Sequence, residues 1–297
     1  MKMKTVELTA NELTVDKKGL WEYRKMVIRE FLKNRLAVLG FIITSLMIVI
    51  AIFGPLFTSA SPYEMNAVQR LEAPSTVHVF GTDTLGRDLF TRVIYGLRVS
   101  MVVGFMTALA SCILGIVLGL LSGYFSFLDD VIMRICDGLM AIPAILMAIV
   151  MMASLGPTIV DVIFSLVVVY TPRVARIARA MTLSVKEQTY IEAIQALGAS
   201  WPRILFFHIA PNILSPVIVQ TTYIFASSII IEAALSFLGA GVPAPDPSLG
   251  NILFDAKGVI FKSWWMTAFP GAFMMLTVFG VNIFGDGLRD LLDPLSN

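Results

Sequence analysis

Residues 36–57, LAVLGFIITSLMIVIAIFGPLF, decide the fold: 22 residues in a row without a charge. As a helix they extend about 33 Å, enough to cross a hydrocarbon core of about 30 Å. The rest of the chain repeats the pattern. Charge-free windows of spanning length lie within residues 99–128, 138–160, 209–231 and 263–285. A sixth, residues 159–171, is short and contains Asp161. It becomes a span if Asp161 sits at the outer interface and the helix continues through Pro172 towards Arg176. The expected fold class is an all-α integral membrane protein with six transmembrane helices.

Composition agrees. The 297 residues are 57% hydrophobic and 14% charged, whereas soluble domains run near 45–50% and about 25%. With six spans both termini share one side, and that side holds 16 of the 22 Lys and Arg. The side richer in Lys and Arg is cytoplasmic. Arg87, Arg92 and Arg98 run against that rule, ahead of the second span. The expected organisation is a cytoplasmic tail at 1–35, a first span at 36–57, an external loop at 58–98, a five-helix core at 99–290 and a cytoplasmic end at 291–297. Within the tail, Trp21, Ile28 and Leu32 fall on one helical face flanked by Arg24 and Arg29, as in a helix lying on a membrane surface. Trp264 and Trp265 open the last span, where interfacial aromatic residues belong. In the second span Thr107, Ser111, Gly115, Gly119 and Gly123 recur every fourth residue, a surface that lets another helix come close. Spacing does not say whether that helix belongs to this chain or to another. Cys112 and Cys136 read as packing residues rather than a disulfide or metal pair.

Several function classes are excluded or weakened. The spans carry almost no ionisable residue near their centres, where an ion-coupled carrier needs one. No Gly is followed by Lys, so a P-loop is absent and the chain is not expected to be an ATPase or any other enzyme. His78 and His208 fall on opposite faces of the expected topology and form no common site. A membrane scaffold recruiting a soluble partner remains a rival reading.

One segment does not suit a bilayer: residues 190–212, YIEAIQALGASWPRILFFHIAPN. Ser184 and Glu187 have the spacing of a capping box, predicting a helix from Val185 to Leu197. Gly198 then supplies a left-handed stop, and Ser200 caps a second helix with Pro202 in its first turn. Ile191, Ile194 and Leu197 are expected to face inward, Glu192 and Gln195 away from the membrane. Such a helical knuckle either caps the bundle or fits a groove on a soluble partner.

Tyr190-Ile-Glu192-Ala193-Ile194, Gly198 and His208-Ile-Ala210-Pro211-Asn212 resemble the "EAA" motif of ABC importer permeases, with Ile194 in place of its second Ala and Ala210 in place of its Leu. Phe80-Gly-Thr-Asp-Thr-Leu-Gly-Arg-Asp88, Glu232-Ala-Ala-Leu-Ser-Phe-Leu-Gly239 and Gly285-Asp-Gly-Leu-Arg-Asp-Leu-Leu-Asp-Pro294 resemble the second, C-type permease of the dipeptide/oligopeptide/nickel branch. The resemblance runs from about residue 31 to the C-terminus. It implies an ABC type I importer permease fold in the inner or plasma membrane of a prokaryote. Segment 184–212 would then carry a coupling helix contacting a cytoplasmic ATPase through Tyr190, Glu192, Ala193, Gln195, Gly198, Ala199 and Arg203. The implied partners are a second homologous permease, two ATP-binding cassette subunits that bind ATP and Mg, an external substrate-binding protein and membrane lipid, with no nucleic acid. The implied cargo is a di- or oligopeptide, with nickel chelates, glutathione and oligosaccharides carried by near relatives.

Overall fold

The computed structural model describes Trp21, residues 29–58 and residues 60–292. Most of the expected surface helix around Trp21, and the ends of both tails, lie outside the described residues. The described part is helical, with one isolated antiparallel bridge between Thr82 and Asp88. The helices are α1 (Arg35–Phe53), α2 (Leu89–Tyr124), α3 (Ser126–Met140), α4 (Ala144–Leu155), α5 (Ile159–Lys186), α6 (Thr189–Ala196), α7 (Trp201–Phe237), α8 (Leu249–Ala256) and α9 (Trp265–Leu292).

By length and composition α1, α2, α7 and α9 can each cross a membrane. α1 presents Leu36, Phe41, Ile42, Leu46 and Ile52 outward, a face that only lipid or another apolar surface would cover. The third window is not one straight helix: α3 and α4 meet at a bend of 94°. Pro143 explains the break, because it disfavours helical backbone at Ile142 and cannot donate to the preceding turn. The 12 residues of α4 extend only about 18 Å by themselves. α5 is continuous for 28 residues, with Pro172 inside it and Asp161 in its first turn beside the capping Thr158.

The small-residue stripe of α2 packs within this chain, along α5. A Cβ on Gly115 would meet the Val174 side chain at 2.4 Å, one on Gly119 the Ala178 Cβ at 2.4 Å, and one on Gly123 the Thr182 Cβ at 2.6 Å. Glycine is required there by proximity, and the two backbones approach as only small residues allow. Leu166, Tyr170, Val174, Ile213 and Ile224 are buried in the core around this seam. A second cluster, with Met47, Leu89, Val93, Leu249 and Met266, joins α1, α2, α8 and α9.

The basic residues that broke the charge rule are mostly buried in a joint. α2 begins at Leu89, ten residues before the expected span, so Arg92 and Arg98 are helical. Arg87 and Arg92 are 4% and 2% exposed. Arg87 donates from Nε to Asp83 (2.5 Å) and from its amino group to Asp255 (3.1 Å). Arg92 lies 3.4 Å from Asp83 and donates to the Pro62 carbonyl at 3.2 Å. Asp83 also accepts from the Leu85 and Arg87 amides. Burial pushes the Asp255 carboxyl up, against the pull of Arg92 and Arg87. Asp88 caps α2 by accepting from the Thr91 amide and hydroxyl, and it holds His78 at 2.9 Å. Trp264 is exposed as expected of an interfacial residue. Trp265 is not: it is buried, and its indole donates to the Thr82 carbonyl at 3.2 Å. Nearby, Glu232 is fully buried and accepts from the Ser100 and Ser236 hydroxyls, each at 2.8 Å. At the far ends of the helices Arg179 pairs with Asp129 and Arg176 with Asp137, tying α5 to α3.

Candidate functional site

The knuckle forms, with corrected limits. α5 runs on through Ser184 and Val185 to Lys186, so the Ser184–Glu187 spacing is not a capping box. Val185 is buried and packs with the core, which keeps that turn in the long helix. α6 starts at Thr189 after Gln188 and contains eight residues, about 12 Å of helix.

Its end is over-determined. Gly198 has φ +79°. The Gly198 amide donates to the Gln195 carbonyl (2.9 Å) and the Ala199 amide to the Ile194 carbonyl (3.3 Å), the paired bonds of a Schellman stop. A Cβ on Gly198 would touch nothing within 4 Å, so the requirement for glycine is conformational, not steric. Ser200 occupies the N-cap position of α7 with Pro202 in the first turn, but its side chain makes no capping bond.

The first turns of α7 are unusual. Residues Ile204–Ile209 form a π-helix, and the Ala210 amide donates to the Leu205 carbonyl, five residues back. Pro211 follows and has no N–H, which removes the donor that would restore the ordinary register. Ile191, Ile204, Leu205 and Ile209 are buried and fasten the knuckle to the bundle. The Tyr190 hydroxyl lies 3.4 Å from the His208 carbonyl and accepts from Asn212 Nδ2 at 3.2 Å.

The residues named from the sequence divide accordingly. Glu192, Ala193, Gln195, Gly198 and Arg203 are exposed on one projecting unit, Tyr190 is partly exposed, and Ala199 is half-buried against the core. Glu192 also sits in the first turn of α6, where a carboxylate meets the positive end of the helix dipole. Leu197 departs from expectation. It faces out and is 87% exposed, because the helix ends at Ala196 and the periodicity that placed it inward stops there. Sequence reasoning also missed an apolar rim. Trp201, Phe206 and Phe207 are exposed, as Leu197 is, and the signal was available as three aromatic residues within seven positions of the segment that does not suit a bilayer. Among the described residues no group of His, Cys, Asp and Glu could hold a metal ion, and the knuckle offers no nucleophile–base pair. What it offers is a small, rigid, mixed polar and apolar projection.

A profile of the family described as "binding-protein-dependent transport system inner membrane component" matches residues 111–296. A second, "N-terminal TM domain of oligopeptide transport permease C", matches residues 22–74. A dipeptide transport system permease protein of Alkalihalophilus pseudofirmus is 45% identical over 267 residues, covering 90% of this chain and 88% of that one. An oligopeptide transport system permease protein of Bacillus subtilis is 39% identical over 281 residues, 94% of this chain and 92% of that one. The inward-facing MetNI methionine ABC transporter contains a chain of similar fold, with TM-score 0.57 and 18% identity over 68% of this chain and 96% of that one.

Proposed function

This chain belongs to the family of binding-protein-dependent transport system inner membrane components, and we propose on that premise that it is a permease subunit of an ATP-driven importer of di- or oligopeptides. The knuckle, α6 with its glycine stop, is the coupling helix. It seats in a groove of a cytoplasmic ATP-binding subunit, which holds the ATP and Mg. The observation that carries this is the combination of exposure and rigidity. Glu192, Gln195 and Arg203 project from a unit whose base is buried through Ile191 and whose end is fixed by the Schellman bonds at Gly198.

A permease of this kind needs no catalytic group. It needs two packings of similar energy and a lever that favours one of them when the partner changes shape. A second permease supplies the other half of the pathway and the other lever, and an external binding protein delivers cargo. α5 and the bent pair α3–α4 complete a six-span topology with both termini cytoplasmic, and residues 184–212 form the cytoplasmic contact segment. α5 crosses with Asp161 at the outer interface.

Glu192→Lys tests the coupling role. Its charge reverses where the partner groove meets the first turn of α6. The variant is expected to insert and co-purify with the ATPase subunits, and to lose uptake of labelled dipeptide into proteoliposomes while ATP hydrolysis persists. Uptake at the parent rate by a fully assembled variant would remove Glu192 from the mechanism.

A further inference from the structure

The ends of α5, α7 and α9 nearest the knuckle leave a cavity of about 590 Å³ between them. Ile177 and Met181 give it an apolar bed; Asn212, Gln220, Tyr223 and Arg289 give it a polar wall. A bed of that kind with a few convergent polar groups, at that size, is how small-ligand sites are built. Arg289 is the charged group of the lining, and Asp286 stands behind Tyr223 rather than in the lining. Arg289 is exposed and supplies a cation that also reaches the Tyr223 hydroxyl, and Gln220 lines the same cavity. The Tyr223 hydroxyl donates to Asp286 at 2.5 Å. Asp286 and Arg289 stand three residues apart on α9, a spacing that makes side chains neighbours. Pro216 also lines the cavity and lacks an N–H, so the Asn212 backbone carbonyl loses its helical donor. Donors for a carboxylate thus adjoin acceptors for an ammonium or an amide N–H. That is the complement of a short zwitterionic peptide.

We propose that this cavity binds a short peptide from the cytoplasmic side, with the peptide α-carboxylate on Arg289 and Gln220, and that its occupancy is felt by the knuckle. The link is Asn212, whose amide donates to the His208 carbonyl at 2.6 Å and to the Tyr190 hydroxyl of α6 at 3.2 Å. A ligand that draws on Asn212 alters the support beneath the coupling helix, so accumulated peptide slows ATP hydrolysis. This proposal rests on the peptide-importer reading.

The test uses the complete complex in nanodiscs without the external binding protein, probed with a dipeptide that carries a photoreactive side chain. Label is expected within residues 212–223 or 289–292. The unlabelled dipeptide competes, and its C-terminal amide competes about tenfold less well, the scale of one charge-assisted hydrogen bond. Arg289→Gln lowers labelling by a similar factor and relieves the slowing of ATP hydrolysis; Arg289→Lys retains most of both. Co-purification with the ATPase subunits checks assembly of each variant. Gln220→Leu, which leaves the charge in place, is expected to weaken labelling several-fold. Labelling elsewhere, indifference to C-terminal amidation, or an anionic lipid that fills the cavity and resists the dipeptide would overturn the proposal. A complex that imports dipeptide with its binding protein yet takes no label here refutes this site alone. A complex that imports no peptide refutes the peptide reading beneath it.

Discussion

Two glycine-to-alanine substitutions should move stability in opposite directions, and the structure fixes the sign of each. Gly119 lies on the α2–α5 seam. An added Cβ there would stand 2.4 Å from the Ala178 Cβ, 2.7 Å from the Ala175 carbonyl oxygen and 2.8 Å from the Arg179 amide nitrogen. Two of those three atoms belong to backbone, so no rotamer change relieves the contact and the helices must separate. Overpacking of this kind costs about 1–3 kcal/mol, and contact with backbone on a seam of two long helices puts Gly119→Ala at the upper end. Alanine returns about 1 kcal/mol through its better helix propensity, leaving a net loss of about 2 kcal/mol. Gly138 in α3 is the control, because nothing lies within 4 Å of an added Cβ. Gly138→Ala therefore keeps only the propensity term and gains about 1 kcal/mol. At about 2–4 °C per kcal/mol for a chain of this size, the two variants should differ by about 6–12 °C in apparent melting temperature. The assay is thermal unfolding of both variants in one detergent at one scan rate, since unfolding of such proteins is often irreversible. Equal shifts, or a stable Gly119→Ala, would show that the seam is not in close contact and that the small residues of α2 serve another purpose.

Three further outcomes follow from the joint and the loops. Asp83→Ala leaves Arg87 and Arg92 buried with Asp255 as their one carboxylate partner among the described residues; losing one member of a buried ionic cluster costs about 3–5 kcal/mol, and the yield of folded protein in mild detergent should collapse. Gly198→Ala forces a Cβ into a left-handed backbone at about 1 kcal/mol, with Gly198→Asn costing less, and hydrogen exchange at the Gly198 and Ala199 amides should quicken in that order while the core is unchanged. The Tyr63 hydroxyl donates to Asp246 at 2.7 Å, and that bond, with some burial, holds its phenol above the ordinary tyrosine range. A raised folded-state value means the contribution is complete below about pH 10 and is lost as pH rises through the higher value. Late-titrating phenolate absorbance should fall by the equivalent of one tyrosine in Tyr63→Phe; parent and variant curves that superimpose would contradict the assignment.

Much of this architecture could be read from residue order, because hydropathy and helix punctuation act locally. The run at 36–57 and the stop at Gly198 needed nothing beyond the chain's own chemistry. Several of the misreadings share one cause: a local signal met a partner from elsewhere in the fold. Ser184 and Glu187 have the spacing of a helix start, yet Val185 is held in the core and the long helix runs through Ser184 to Lys186. Trp265 sits where an interfacial tryptophan belongs, but a carbonyl at Thr82 accepts its N–H. Arg87 and Arg92 looked misplaced because their carboxylate partners are Asp83, near them in sequence, and Asp255, far from them. The bend between α3 and α4 was signalled by Pro143, but a window free of charge hides such a break from any test of hydropathy alone. The cavity at Arg289 gathers side chains from three helices, and no spacing along one of them announces it.

The placement of charge bears on how such a molecule would move. In the joint around Asp83 the carboxylate and both guanidinium groups are almost wholly buried, and Glu232 nearby is fully buried and accepts from two serine hydroxyls. Separating those groups would strand buried charge, which costs several kcal/mol for each broken pair. The pairs at the other ends of the helices differ: the side chains of Arg176 and Asp137 are 50% and 63% exposed, those of Arg179 and Asp129 31% and 21%. The solvated Arg176–Asp137 pair is worth at most about 1 kcal/mol and re-forms readily, and the forked Arg179–Asp129 pair, though stronger, still reaches solvent. On the proposed topology the stiff joint is external and the compliant pairs lie on the knuckle's side. A push on α6 is then absorbed by parting the ends of α3 and α5, while the external joint acts as the pivot. The physical asymmetry is already present in this one chain, and on the proposed function a partner ATPase would have only to supply the push.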